Sequence, residues 1–327
     1  LSKNHWIPGT TTFISKHLAP DVYRIPFSLP GACSATVNSE PDIPASWENL
    51  GTTLAGRKPL VIYVLGPVDA GKSTLCRFLA GRYSGPVAYL DADTGQSTVG
   101  PPATAGLATC TGKPARVRET FLRFVGATSP QGHQLQLLVA TARLLSLARE
   151  LGAGPVLVDS PGFTEGPVAE EFQVRMIDLL EPDLVVAIHD GHELDGILAN
   201  FRPRSGMAIT SIAPSPHALR RSRVWRAHYR QGRFRGYFSG ARAAGKPPEG
   251  TGFHGKIPGS FRDADWHDLL VALCDQDMLV VSLAIVEELD LAGGVLKVHC
   301  PRPDLSRVAS VQVGSVRLEP GVDFDPW

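Results

Sequence analysis

The sequence has no Cys-x-x-Cys pair, no excess of either charge and no apolar run near the ~18 residues a membrane-spanning helix needs. Its five cysteines (Cys33, Cys76, Cys110, Cys274, Cys300) are scattered and odd in number. That argues against a disulfide scaffold or a zinc ribbon and fits a reducing compartment. The longest apolar stretches are short ones, such as Leu60–Leu65 and Met278–Val286. The opening LSKNHWIPGT lacks the basic-then-apolar order of a signal peptide, and a start at Leu1 leaves room for residues upstream. A soluble intracellular protein with no membrane partner is expected, cytoplasmic in a prokaryote and nuclear in a eukaryote.

Lys plus Arg and Asp plus Glu each total 32, so no net field marks the whole chain as a binder of nucleic acid or membrane. One absence is local. From Gly196 to Pro248 there is no Asp or Glu, while the same stretch carries eleven Lys and Arg. At 327 residues, with 43% apolar and 20% charged residues, the chain suits two folded domains or one large α/β domain with appendages.

Apolar, β-branched runs alternate with helical patterns. PLVIYVL, PVAYLDAD, PVLVDS and DLVVAIHD read as buried strands; STLCRFLAGR, Leu135–Leu151 and AEEFQVRMIDLL read as helices. This order predicts an α/β fold with a mostly parallel sheet covered by helices on both faces. Residues 1–58, rich in Pro, Gly, Ser and Thr with β-like pieces such as DVYRIPFSL, read as an N-terminal appendage. Residues 59–250 read as the main domain, and 251–327, with the short segments LVVSLAIVEEL, GVLKVHC and VASVQVGSVRL, as a small C-terminal β-domain.

Between the first strand and the first helix lies Gly66-Pro-Val-Asp69-Ala70-Gly71-Lys72-Ser73-Thr74, which satisfies GxxxxGK[ST] in the context that motif needs. Such a loop curls so that successive N–H groups and a helix N-terminus face a phosphate. Lys72 would bridge the β- and γ-phosphates and the Ser73 hydroxyl would take a magnesium position, so a P-loop nucleotide-binding protein using ATP or another NTP with Mg²⁺ is expected.

Two acidic clusters accompany the loop. Asp91 and Asp93 close the second strand; two apart, they would share one side if the strand persisted. One could hold magnesium and the other accept a proton from an attacking hydroxyl. Asp159-Ser160-Pro161-Gly162 closes a later strand as a Walker-B-like Asp, and whether Asp91 or Asp159 stands nearer the metal is open at this point. Neither Asn-Lys-x-Asp nor Thr-Lys-x-Asp occurs, which speaks against GTP-driven switching. His189 and His192 have no third ligand nearby in sequence and support no metal-delivery role.

Arg220–Arg235 holds seven arginines in sixteen residues. Arg223, Arg226, Arg230 and Arg233 step by three and four, so a helix presents them as one stripe suited to phosphates. Trp225 and Tyr229, four apart, fall on another face with Arg221 and are expected to anchor that helix.

With these residues in view, the chain resembles the P-loop polynucleotide 5′-hydroxyl kinases of mRNA cleavage and of tRNA and rRNA processing. The resemblance rests on four motifs in order: GPVDAGKST (66–74), LDADTGQST (90–98), FVGATSP (124–130) and the arginine run ending in FRGYFSG (234–240). It extends from about residue 45 to 318 and is weakest at the N-terminus. It implies transfer of the γ-phosphoryl group of ATP to the 5′-hydroxyl end of RNA or DNA, with single-stranded or end-exposed polynucleotide as partner. It also implies Asp93 as general base, Gln96 along the nucleic-acid path, Thr128, Ser129 and Pro130 as a clasp on the 5′-terminal nucleotide, and a lid at about 217–240. Arg221 and Arg226 would close that lid over the phosphates, and Arg230 would hold the polynucleotide backbone. Phe163 stands where eukaryotic members often carry Trp, giving a smaller base-stacking surface. Arg221 and Arg226, five apart, would splay by about 140° on a straight helix. A kinase of a small metabolite and a nucleotide-binding scaffold of an RNA-processing complex are the alternatives.

Overall fold

The computed structural model describes residues 43–55, 61–111, 116–246, 250–259, 263–290 and 294–318. Most of the expected N-terminal appendage, DVYRIPFSL and Cys33 included, lies outside the described residues. The chain runs α1 (Ala45–Leu54), β1 (Val61–Leu65), α2 (Lys72–Ala80), β2 (Val87–Asp91), β3 (Thr104–Thr111), β4 (Arg116–Phe124), α3 (Gln134–Glu150), β5 (Val156–Asp159), α4 (Pro167–Leu180) and β6 (Leu184–Ile188). It continues through α5 (Asp195–Leu198), β7 (Ala208–Ile212), α6 (Arg223–Phe238), β8 (Arg242–Lys246), β9 (Gly252–Gly255), α7 (Asp263–Trp266), β10 (Leu269–Cys274), β11 (Val280–Asp290), β12 (Val295–Cys300) and β13 (Ser310–Arg317). Among these helices none is long and apolar enough to cross a membrane.

The first sheet has the order β4-β3-β2-β5-β1-β6-β7. Five strands from β2 to β7 are parallel to their neighbours, and β3 and β4 add an antiparallel edge beyond β2. β1, β2, β5 and β6 are buried at every position, because helices cover both faces: α1 and α2 on one, α3, α4 and α5 on the other. That double cover is why these strands read as unbroken apolar runs rather than alternating ones. Parallel pairing puts the ends of β1, β2 and β5 at one edge, with Asp91 opposite Asp159 and Asp159 opposite Val64. That edge is where open α/β sheets bind ligands.

β3 and β4 depart from the expected pattern of strands alternating with helices. β3 (TAGLATCT) carries small and hydroxylated side chains rather than an apolar run, yet it is buried over nearly its whole length. The chain from 92 to 103 folds back over it: a Cβ on Gly106 would meet Val99 at 2.7 Å.

The second sheet, β8-β12-β11-β10-β13-β9, is antiparallel except for the β13–β9 pair. It draws in β8, so it starts before the expected boundary at residue 251; pairing with β12 outweighs the weak strand propensity of RAAGK. β10 is buried on both faces, with Leu270, Ala272 and Cys274 in the cluster that holds Leu122 and Phe124 of β4, and Leu269, Val271 and Leu273 in a core of the second sheet's own. Two contacts reach toward the site. Ser315 N and Oγ donate to Gly126 O at 2.8 and 3.1 Å, and Tyr237 Oη, near the end of α6, accepts from Leu283 N at 2.9 Å.

In α1, Trp47, Leu50 and Leu54 form one buried stripe. Trp47 is 1% exposed, and its ring lies 3.2 Å from where a Cβ on Gly71 would sit, so this helix braces the phosphate-binding loop from behind. Trp47→Ala should lower stability by about 3–5 kcal/mol, the usual cost of emptying a large aromatic site. A urea titration read by circular dichroism measures the loss, and nucleotide affinity measured under native conditions should fall with it.

Candidate functional site

Gly66–Thr74 turns from the end of β1 into α2. Asp69 (φ 64°) and Gly71 (φ 95°) adopt left-handed backbone, and no side chain caps the first turn of α2. Its free N–H groups, with the positive end of the helix, are therefore left for an anion. Gly66 has no room for a side chain, since a Cβ would stand 2.8 Å from Ile188 O. Lys72 is only 6% exposed and its Nζ donates to Pro67 O at 2.8 Å. Burial pulls its pKa down, and the carboxylates of Asp159 and Asp93 push it back up, so the ammonium sits between two acidic residues.

Asp159, at the end of β5, is buried, and Oδ2 accepts from Tyr89 Oη at 2.7 Å. Burial raises its proton affinity, while Lys72, Ser73 and Tyr89 lower it. Its Oδ1 is shielded from solvent with no hydrogen bond closed to it. A buried carboxylate facing a serine hydroxyl at a helix start fits a hard divalent cation.

Asp91 accepts hydrogen bonds on both carboxylate oxygens. Its Oδ1 accepts from Asp93 N at 3.0 Å, and its Oδ2 from Val99 N at 3.1 Å, Thr98 Oγ1 at 2.9 Å and Thr98 N. Asp91, expected at magnesium or substrate, here has both oxygens engaged by its own loop: β2 stops at Asp91, and the side chain is the hub that folds residues 93–99. Asp93 leaves the strand, lines the cleft, and with Oδ1 caps Gly95 N and Gln96 N, both at 2.9 Å. The clasp stretch packs on the same loop, because Thr128 O stands 2.6 Å from where a Cβ on Gly95 would be. Thr128 is half-buried, Ser129 exposed and Pro130 buried.

The arginine-rich segment closes the cleft. Ser222 caps α6, its side chain accepting from Trp225 N at 3.1 Å, so Arg221 precedes the helix and the expected 140° splay does not arise. Arg221 N donates to Asp69 Oδ2 at 2.8 Å, and Arg226 Nη1 lies 3.5 Å from the same oxygen. Arg226 Nη1 also donates to Arg221 O at 3.0 Å. The Arg221 guanidinium donates to Gln96 Oε1 at 3.1 Å and covers the Trp225 ring at 4.4 Å. Tyr229 Oη donates to Ser97 O at 3.2 Å, and Arg233 Nη2 to Gly100 O at 2.7 Å. The lid is thereby tied to both the phosphate loop and the Asp91–Gly100 loop.

The resulting cleft, of about 480 Å³, is lined by Asp69, Gly71, Lys72, Ser73 and Thr74 of the phosphate loop and α2, and by Asp93, Gln96, Thr98, Arg221, Trp225 and Tyr229. Gly66, Ala70, Asp159, Thr128–Pro130, Arg226 and Arg230 are not among the residues that line it. Phe163 is also outside, its ring tilted against Phe172 at 6.1 Å and its carbonyl accepting from Gln173 Nε2. Sequence reasoning missed Arg77 and the cleft-facing placement of Trp225 and Tyr229. Arg77, four residues after Ser73, shares its helix face, a spacing that could have revealed it.

The family model of the mRNA cleavage and polyadenylation factor CLP1 P-loop matches residues 66–240. The chain is 28% identical to the polyribonucleotide 5′-hydroxyl-kinase of Thermococcus kodakarensis, over 85% of this chain and 93% of that protein. It is 32% identical to that of Pyrococcus furiosus, over 58% of this chain and 53% of that protein. The fold is similar to that in the solved complex of wild-type Clp1p with Pcf11p, at a TM-score of 0.66 and 13% identity, covering 83% of this chain and 79% of that one.

If Asp91 is the organiser of its loop, Asp91→Ala should destabilise the protein by at least ~2 kcal/mol, because several buried donors lose their acceptor. A thermal melt should show the same loss with and without magnesium. A metal-ligand role would instead make the loss depend on the ion.

Proposed function

The chain belongs to the Clp1 P-loop family of polynucleotide 5′-hydroxyl kinases, and from that premise we propose that it moves the γ-phosphoryl group of ATP to the 5′-hydroxyl of RNA. The observation that carries this reading is that one cleft unites a phosphate-binding loop with a carboxylate and an arginine from other segments: Lys72 and Ser73 with Asp93 and Arg221. The kinase relatives, whose names specify polyribonucleotides, support RNA as the acceptor.

The chemistry needs positioning and charge more than covalent help. The backbone N–H groups between Val68 and Thr74 and the Lys72 ammonium hold the β- and γ-phosphates. Ser73 and Asp159 would hold Mg²⁺, which when bound neutralises phosphate oxygens. Asp93, fixed in direction by its bonds to Gly95 N and Gln96 N, takes the proton from the 5′-hydroxyl as that oxygen attacks the γ-phosphorus in line. Arg221, with Arg226 behind it on Asp69, stabilises the charge spread over the transferring group. Gln96 and the clasp residues Thr128, Ser129 and Pro130 hold the 5′-terminal nucleotide. The exposed Arg220 and Arg223 and the half-exposed Arg230 offer a track for backbone phosphates beyond it.

With γ-labelled ATP, magnesium and matched 5′-hydroxyl RNA and DNA oligonucleotides, label should appear on the RNA 5′ end, with a rate that falls steeply as salt rises. Lys72→Ala and Asp93→Asn should each slow transfer on the order of 10²-fold or more while the protein stays folded. Absence of label on any polynucleotide while ATP still binds would overturn the reading and favour a small-metabolite kinase.

A further inference from the structure

A kinase that grips the last nucleotide of a chain needs a surface for its base, and Phe163, the ring expected to give one, is packed against Phe172 outside the cleft wall. Among the described residues lining the cleft, the rings other than His217 are Trp225 and Tyr229. They stack on each other with centroids 5.4 Å apart and planes 13° from parallel. Tyr229 is tethered to Ser97 O, so the pair is fixed to the loop that carries Asp93 and Gln96. Trp225 remains 42% exposed. The Arg221 guanidinium lies over the Trp225 ring, 4.4 Å from its centroid, and donates to Gln96 Oε1. That cover can leave without opening the lid, because the Arg221 backbone is pinned separately by Asp69.

Resting on the kinase reading above, we propose that Trp225, backed by Tyr229, is the stacking platform for the base at the acceptor's 5′ end, and that this base and the Arg221 guanidinium compete for one face. Planar guanidinium and nucleobase stack on indole by the same physics, so one displaces the other. Arrival of the base then releases Arg221 from Trp225 toward the phosphate being transferred, and the charge-stabilising arginine is delivered when an acceptor is in place. The platform serves the acceptor rather than the base of ATP because Tyr229 is tethered to Ser97 O, on the loop that carries Asp93.

The test compares two 5′-hydroxyl RNA oligonucleotides that differ only in whether the 5′-terminal nucleotide has a base. Trp225→Ala should raise KM for the base-bearing RNA roughly five- to a hundredfold, the range for losing one base–aromatic stack. It should leave KM for the abasic RNA and for ATP unchanged, and Trp225→Phe should restore most of the loss. Competition adds a prediction of sign: Arg221→Ala should tighten binding of the base-bearing RNA, measured with a fluorescent label on its 3′ end, even as kcat falls. Equal losses on both RNAs, a rise in KM for ATP instead, or weaker RNA binding by Arg221→Ala would overturn the proposal while wild-type transfer stands. Absence of transfer by the wild-type protein would remove the kinase reading and this inference together.

Discussion

Lys72 buries an ammonium at the end of the central strands, and most of the site follows from how that charge is met. A buried cation without a partner would cost several kcal/mol; here Asp159 closes β5 beside it and Asp93 enters from the neighbouring loop. The parallel register that puts Asp159 opposite both Val64 and Asp91 is therefore a condition for the phosphate loop as well as for the sheet. Trp47 holds the same loop from behind through Gly71, so a helix in the tail of the N-terminal segment joins the machinery.

Around that charge the protein relies on backbone carbonyls and one carboxylate to place the arginine-rich segment. Tyr229 and Arg233 attach the lid to the carbonyls of Ser97 and Gly100. Asp69 takes the N–H of Arg221 and the guanidinium of Arg226. The second sheet holds the clasp stretch through Gly126 and the far end of α6 through Tyr237. It therefore acts as a buttress to the stretch after β4 and to the end of α6, although its own strands carry none of the expected site residues.

The contrast between Asp91 and Asp93 shows where local pattern stops being informative. Two carboxylates at alternate positions suggest a shared direction only while the strand lasts. Once Asp91 accepts the Asp93 N–H the chain turns, and the two residues take different work. Arg221 shows the reverse case: a helical wheel separates it from Arg226, and the Ser222 cap removes the conflict by leaving Arg221 outside the helix. Trp225 and Tyr229 were legible as a pair at helical spacing, but whether they anchored the lid or faced the cleft depended on which surface α6 met.

The phosphate loop, the central strands that flank it and the ordered motifs of the family were fixed by the sequence itself, because each is a contiguous run whose backbone conformation depends on its own glycines, capping residues and apolar pattern. The antiparallel edge of β3 and β4, the reach of the second sheet to β8, the hydrogen bonds that hold Asp91, the packing of Phe163 on Phe172 and the meeting of Arg221 with Trp225 and Gln96 were decided by tertiary structure. Each of these depends on a neighbour from another segment: Val99 over Gly106, β12 beside β8, Thr98 and Val99 on Asp91, Phe172 against Phe163. The energies that select such contacts arise only when the chain has closed on itself.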